Sequence, residues 1–294
     1  MTETALPAPS HPAALVRALK SFALLRESWV GLLGAALIAF WVIVALFAPL
    51  LAPYDPLATI QGYAAPGASA PDGGTFWLGT DHIGRDILSR IIWGSRTVLI
   101  YAPIATFFAY VVGIVMGLAA GYFRGWADEV LSFIANMILS FPVLVLYIII
   151  IATYGASPIN ILLAIIFASS PGIMRLVRGL VLDLRNREYI SAAQTRGESS
   201  WHIMLVEILP NARGPLIVDS CLRLGYVIIT IGVLGFLGLG LPPPDPDWGG
   251  MINETRQMAM AFPHMTLFPC IAISSLILGF NLLADGLREI SLRD

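Results

Sequence analysis

Six long apolar runs constrain this chain more than any other feature of its sequence. A helix needs roughly 20 apolar residues to cross the hydrocarbon core of a bilayer. The chain is 57% hydrophobic and only 12% charged, whereas a soluble domain carries about 25% charged residues. The sequence therefore predicts an all-α polytopic membrane protein with six transmembrane helices. The predicted spans are Trp29–Leu51, Val98–Ala120, Val130–Thr153, Ile159–Met174, Leu224–Leu241 and Phe262–Ala284.

The arginines and the single lysine predict the orientation of the chain, because cytoplasmic segments carry an excess of positive charge. With the N-terminus inside, thirteen of the 17 basic residues lie in cytoplasmic segments and four lie outside. We therefore expect cytoplasmic N- and C-termini. The inner set is Arg17, Lys20, Arg26, Arg124, Arg175, Arg178, Arg185, Arg187, Arg196, Arg213, Arg223, Arg288 and Arg293, and the outer set is Arg85, Arg90, Arg96 and Arg256.

The predicted spans divide the chain into three parts. Residues 1–28 form a cytoplasmic tail, in which Leu15, Leu19 and Phe22 share one helical face and predict a short helix on the inner leaflet. Residues 29–97 comprise the first span and a periplasmic loop. Residues 98–294 form the transmembrane core, which contains a mostly polar cytoplasmic segment at 182–213.

The predicted spans are almost free of ionisable residues, which are costly in a membrane and usually mark proton relays or catalysis. Asp219 and Arg223 are interpreted as an i,i+4 ion pair at the inner end of the fifth span. A proton-driven carrier would need a buried acid, and an intramembrane enzyme would need a catalytic pair. The sequence therefore predicts a protein that is not an enzyme, with no catalytic and no metal-binding residues.

The chain also lacks the means to bind a nucleotide by a phosphate loop. That motif ends in Gly-Lys-Ser/Thr, whereas the only lysine, Lys20, follows Leu19. If the protein is part of an energy-driven machine, another polypeptide must supply the energy. The net charge of −2 argues against binding to nucleic acid, and Cys221 and Cys270 lie in apolar stretches that do not predict a disulfide.

Glycines recur at helical spacing in two spans, where small residues let helix backbones approach closely. Two interpretations stay open. The glycines pack helices within this chain, or they face a second membrane subunit or a substrate path. They are Gly113, Gly117 and Gly121 in the second span, continued by Ala109, and Gly232, Gly235 and Gly238 in the fifth.

The polar stretch Tyr189–Asn211 predicts two short helices joined by a bend. Residues 188–196 favour a first helix that Gly197 ends as a left-handed cap. Ser199 or Ser200 can then cap a second helix, which Pro210 would stop. The apolar face expected on the second helix comprises Trp201, Met204, Leu205 and Ile208.

The first of these helices has the composition of a docking helix. Ala192 and Ala193 leave room for close seating in the groove of another protein, and charged side chains form a polar rim. An ordinary amphipathic loop is the alternative on physical grounds alone. Ala192, Ala193 and Gly197, followed by Leu209 and Pro210, resemble the EAA loop of ABC importer permeases.

In that family the loop is a coupling helix seated in the cleft of the ATP-hydrolysing subunit. Ser191 departs from the family pattern because it stands where the motif has Glu, and Glu207 occupies a position that is often apolar. The ATPase-coupling residues implied by the resemblance are Glu188, Ser191, Ala192, Ala193, Arg196, Gly197, Ile208, Leu209 and Pro210.

Further motifs resemble the dipeptide/oligopeptide/nickel branch of these permeases, and in particular its C-type subunit. They are Leu78–Arg90 with Gly94 and Arg96, Ser140–Pro142, Phe236–Gly240 with the prolines from Pro242 and with Trp248 and Gly249, and Phe280–Arg288.

The resemblance implies a type I ABC importer permease fold in the bacterial inner membrane. It also implies a heterodimer with a second, homologous permease, two ATP-binding subunits that hold ATP and Mg, and a periplasmic solute-binding protein. The implied function is transport of peptides or related small solutes, with no cofactor bound by this chain itself. A secondary transporter or channel that is not coupled to an ATPase is the alternative.

Two outer segments leave alternatives open. Asp81, His82 and Asp86 do not have the spacing of a known metal site, so helix capping or contact with the binding protein is favoured over metal binding. The stretch Pro242–Gly250 predicts a rigid outer loop. It either touches the solute-binding protein or forms a plain or re-entrant loop.

Overall fold

The computed structural model describes residues 28–240 and 245–291, and almost every regular element in them is helical. The predicted helix at residues 15–22 lies outside the described residues. The helices are α1 Trp29–Leu46, α2 Ala48–Leu51, α3 Ile87–Phe123, α4 Gly125–Leu139, α5 Val143–Tyr154, α6 Pro158–Leu184, α7 Glu188–Thr195, α8 Ser200–His202, a π-helix Ile203–Ile208, α9 Leu209–Phe236, α10 Trp248–Thr255, a 3₁₀ turn Arg256–Met258 and α11 His264–Ser291.

Five stretches of the described residues are long and apolar enough to cross a membrane: α1, α3, α6, α11 and the continuous helix 200–236. A sixth is the pair α4 and α5, which bends by 87° at a short break. The predicted third span, Val130–Thr153, is therefore divided between two helices that meet at this bend. Pro142 stands at the break, where its ring cannot continue the helix of α4.

Several spans extend beyond the predicted apolar runs because their ends are polar but still helical. The second begins at Ile87 rather than Val98, capped by the Asp86 carboxylate, which accepts from the Ser89 amide at 2.8 Å. The fourth continues from Met174 to Leu184, and the sixth continues to Ser291. Hydropathy marks the membrane-embedded part of a helix, whereas capping and packing decide where the helix ends.

The glycines of the second span pack against α6. A Cβ added at Gly117 would lie 2.5 Å from the Cβ of Val177, and one added at Gly121 would lie 2.7 Å from that of Val181. Gly113 meets Ile173 in the same way. For this ridge, the structure supports packing within the chain rather than contact with another subunit.

The first and last spans pack together through glycines as well. A Cβ at Gly34 would lie 2.4 Å from the backbone nitrogen of Leu283, and one at Gly286 would lie 2.3 Å from the Cα of Gly31. The Ser28 hydroxyl donates to Glu289 at 2.8 Å and ties the ends of these helices together. α1 therefore belongs to the same bundle as the core, although residues 52–86 separate it from α3.

The segment between α2 and α3 carries a small antiparallel hairpin, β1 Ala68–Ser69 with β2 Thr75–Phe76. Phe76 is fully buried there and packs on Tyr54 and two alanines. The hairpin and the turn that follows it lie over one end of the bundle, next to the start of α3.

Candidate coupling site and membrane cavity

Helix α7 is anchored to the rest of the chain by one apolar side. Ile190 and Ala193 are fully buried. They belong to the same packed cluster as Ile203, Met204 and Ile208, which follow the bend, and as Val181 of α6. The two arms of the predicted bend thus fold onto each other and onto α6.

The bend itself forms as the sequence predicts. Gly197 has φ +79°, a conformation that favours glycine. Its amide donates to Gln194 O at 3.0 Å, and the Glu198 amide donates to Ala193 O at 3.2 Å, so α7 ends in a Schellman motif. Ser199 is the cap of the second arm, because its hydroxyl accepts from the His202 amide at 3.3 Å.

The second arm differs from the prediction in two ways. Residues 203–208 form a π-helix, which turns Ile203 inward and leaves Trp201 and Leu205 about half exposed. The predicted apolar face is therefore wrong for those two residues. Pro210 does not stop the helix either. It lies in the first turn of α9, where a missing amide is tolerated, and the chain continues as one helix into the fifth span.

The predicted coupling residues are divided between two faces of this unit. Ala193 and Ile208 are buried within the chain, so Ala193 does not offer its small side chain to a partner, contrary to the prediction. Its size serves the packing of α7 on the π-helix. Leu209 is half-buried. The exposed members are Glu188, Ser191, Ala192, Arg196, Gly197 and Pro210.

Ion pairs connect the arms on the exposed side. The Arg196 guanidinium lies 2.6 Å from Glu198 and 3.8 Å from Glu207 of the π-helix. Glu198 also lies 3.5 Å from the His202 imidazole. Glu207, which departs from the resembled motif, therefore belongs to a charged network across the bend.

The unit is fixed to the end of α3 as well. Arg185, which caps α6, donates to the carbonyl of Tyr122 at 3.0 Å. α7 thus sits where α3 and α6 end together. After the bend at Gly197, α8, the π-helix and α9 run as one continuous helix.

The ion pair predicted between Asp219 and Arg223 has a third partner, Tyr110 of α3, which sequence reasoning missed. The Arg223 Nε–H donates to Asp219 at 2.6 Å, as the i,i+4 spacing predicts, and Asp219 also accepts from the Tyr110 hydroxyl. Tyr110 stands near the middle of the predicted second span. The pair therefore contacts α3 well before the last residue of that helix, Phe123. The i,i+4 spacing in the sequence predicts the ion pair, but its contact with Tyr110 depends on the register between α3 and α9.

Arg223 lines a cavity of about 330 Å³ between α5, α6 and α9. The wall is mostly apolar, and its further polar side chains are the hydroxyl-bearing Tyr147, Ser169, Tyr226 and Thr230. Val143 and Leu144, which also line the cavity, follow directly after the break between α4 and α5.

Of the acidic residues before α3, Asp81 forms ion pairs and Asp86 caps the helix. Asp81 lies 2.6 Å from Arg85 and 2.7 Å from Arg90, and both arginines also pair with Glu254. Burial raises the pKa of Asp81, but the Arg85 amide and the two guanidinium groups outweigh this and hold it below its usual value. Among the described residues there is no group of three side chains placed to hold a metal ion.

The stretch after the fifth span folds inward. Trp248 is fully buried and donates from Nε1 to Ile91 O at 3.0 Å. Asp247 is also buried and caps α10 by accepting from the Gly250 amide at 2.9 Å. The described part of Pro242–Gly250 packs against α3 and leads into α10, so Asp247 and Trp248 are buried within the chain rather than displayed to a binding protein.

Comparison with known proteins assigns the chain to a family. The profile of the binding-protein-dependent transport system inner membrane component matches residues 113–294, more than half of the chain. The chain belongs to this family. A second profile, the N-terminal TM domain of oligopeptide transport permease C, matches residues 21–71. The protein is thus a permease subunit of an ATP-driven ABC importer and a multi-pass protein of the bacterial inner membrane.

Relatives support the same branch of the family. The chain is 38% identical over 270 residues to the dipeptide transport system permease protein DppC of Alkalihalophilus pseudofirmus, covering 92% of this chain and 88% of the relative. It is 36% identical to the glutathione transport system permease protein GsiD of Pectobacterium atrosepticum, covering 90% and 89%. The di/tripeptide transport system permease protein DppC of Pseudomonas aeruginosa is also 36% identical, covering 96% and 93%.

A solved structure supports the fold. An inward-facing MetNI methionine ABC transporter contains a chain that superposes with a TM-score of 0.57 at 18% identity. The match covers 69% of this permease and 96% of that chain. The predicted permease fold is thereby confirmed, whereas the orientation of the termini stays a prediction.

Proposed function

We propose that this permease pairs with a second, homologous permease and that the two form the pathway for peptides or related small solutes delivered by a periplasmic binding protein. The relatives are named as permeases of dipeptide, di/tripeptide and glutathione transport systems, and these names support this class of solute. In this proposal two separate subunits bind and hydrolyse ATP, and one of them contacts the exposed side of α7.

The geometry of α7 is the observation that carries the coupling role. Its inner side is packed on α6 and the π-helix, so the helix can be pushed as a rigid body. Its outer side presents Glu188, Ser191 and Ala192 to whatever lies beyond the bundle. ATP binding closes the ATPase pair and displaces α7. The π-helix passes that displacement to α9, which lines the cavity, and the permease pair opens to the outside.

Ala192 allows the coupling role to be tested without disturbing the fold. We expect Ala192→Trp to reduce co-purification of the ATP-binding subunits and uptake by about tenfold or more, because a large side chain on an exposed helix face obstructs docking but leaves the core intact. Ala65→Trp is the matched control, since Ala65 is also exposed but lies in the segment before α3.

The measurement uses the complete transporter in proteoliposomes, with labelled dialanine and glutathione as probes and ATP hydrolysis followed in parallel. Normal assembly and uptake in Ala192→Trp would contradict docking on α7. Failure of the wild-type transporter to move either probe would contradict the proposed class of solute and leave the coupling role untouched.

A further inference from the structure

The cavity between α5, α6 and α9 has the features of a small-ligand site. Its wall is largely apolar, and its few polar side chains come from all three helices: Tyr147 from α5, Ser169 from α6, and Arg223, Tyr226 and Thr230 from α9. An apolar cavity with a small number of placed polar groups is typical of sites that bind small molecules. Arg223 brings the one guanidinium among its lining residues.

The Arg223 guanidinium is held in a fixed orientation by its neighbours. Nε–H donates to Asp219 at 2.6 Å, and Asp219 is held in turn by the Tyr110 hydroxyl of α3. The terminal nitrogens lie against α6, where a Cβ added at Gly172 would stand 3.2 Å and 3.4 Å from them. Asp219 therefore fixes the Nε edge of the guanidinium. Gly172 has no side chain, which leaves room for the terminal nitrogens.

This arrangement suits a carboxylate. A guanidinium offers planar pairs of N–H donors that match the two oxygens of a carboxylate group, and ordering the guanidinium in advance lowers the cost of binding. Asp219 offsets the positive charge of Arg223, so a carboxylate bound to the terminal nitrogens is held weakly enough to leave. Ionisable groups that face a cavity within the membrane generally mark the path of a solute.

We infer that Arg223 binds the carboxylate of the solute as it passes, which makes this cavity a transient site for carboxylate-bearing solutes such as peptides with a free C-terminus. The inference rests on the proposed function and adds the group that is recognised and the residue that recognises it. Asp219 and Tyr110 act as positioning residues for the guanidinium.

The test compares Arg223→Gln and Arg223→Lys in the complete transporter, with dialanine as the probe. We expect Arg223→Gln to lower ATP-driven uptake about tenfold or more, since a charge-assisted hydrogen bond is lost. Hydrolysis of ATP stimulated by the dialanine-loaded binding protein stays within about twofold of wild type. Arg223→Lys, which keeps the charge, retains uptake at least about threefold above Arg223→Gln.

Arg178→Gln is the matched control. Arg178 also pairs with a carboxylate across helices, donating from Nη2 to Asp128 at 2.7 Å, but it does not line the cavity. We expect this variant to keep its uptake. An equal loss in Arg178→Gln would show that removal of any such pair reduces uptake, and would overturn the assignment.

The remaining outcomes are separable. Normal uptake in Arg223→Gln overturns the inference and leaves the proposed function intact. A parallel loss of uptake and ATP hydrolysis would assign Arg223 a role in assembly and would also overturn the inference. Uptake by Arg223→Lys that is no higher than uptake by Arg223→Gln would overturn it as well. If the wild-type transporter carries neither dialanine nor glutathione, the proposed class of solute is wrong and the inference falls with it.

Discussion

Among single residues, Asp247 shows most clearly how burial changes the chemistry of a side chain. Burial raises the pKa of its carboxyl from 3.8 to about 6, and the amides of Gly250 and Gly249 offset only part of this effect. Its neighbours are tightly packed, since a Cβ added at Gly235 would lie 2.1 Å from the carboxylate. The group therefore caps α10 in surroundings that favour its neutral form.

This shift predicts a pH-dependent stability. The folded-state pKa lies above the ordinary value, so the folded protein binds more protons than the unfolded chain between about pH 4 and 6, and stability falls as pH rises through that window. The ionised group costs up to about 3 kcal/mol above pH 6. Asp247→Asn mimics the neutral acid. The melting temperature of the variant minus that of wild type should therefore increase as pH rises from 4.5 to 7.5.

Thermal unfolding of the detergent-solubilised transporter at a series of pH values measures this difference. Asp245→Asn is the control, because it removes a carboxylate from an exposed position two residues earlier. A difference between Asp247→Asn and wild type that is constant with pH would contradict the expected effect.

At the scale of elements, the contact between α3 and α6 depends on glycines placed one turn apart. We expect Gly117→Ala to destabilise the transporter by roughly 1–3 kcal/mol, because the new methyl group would lie 2.5 Å from Val177 Cβ and 2.8 Å from the Met174 carbonyl oxygen. The two helices would have to separate to accommodate it, which would lower the melting temperature.

Gly179 provides the matched control on the facing helix. A Cβ added there meets no atom within 4 Å, so Gly179→Ala should be neutral or slightly stabilising, as expected for alanine in place of glycine within a helix. Equal melting temperatures for the two variants would show that α3 and α6 are not held together by close backbone approach.

The element scale also shows where sequence patterns were sufficient. The Gly197 cap follows from local backbone chemistry and was predicted, and the structure selects Ser199 from the two serines predicted as the second cap. The π-helix after them was not predicted, because it depends on the way Ile203 and Ile208 pack under α7. Periodicity assumes an ideal α-helix, so the faces of Trp201 and Leu205 were assigned wrongly.

At the scale of the whole molecule, the predicted orientation remains to be tested. We expect a cysteine at Ala65 to react with a membrane-impermeant thiol reagent added outside spheroplasts, and a cysteine at Ser191 to react only after the membrane is opened, because the arginine distribution places residue 191 in the cytoplasm. Both positions are exposed. The background replaces Cys221 and Cys270, which are free thiols, with serine. The opposite labelling pattern would invert the topology.

The sequence by itself determined the class of protein, the approximate spans and the family. Long apolar runs predict membrane helices, and the motifs around Gly197 and Pro210 that indicate the family can be read from the sequence alone. The structure decided what depends on contacts between distant segments: the 87° break at Pro142, the burial of Ala193 and Trp248, and the placement of Asp219 and Arg223 beside Tyr110. Hydropathy measures how apolar a segment is, whereas depth and exposure are set by the register of one helix against another.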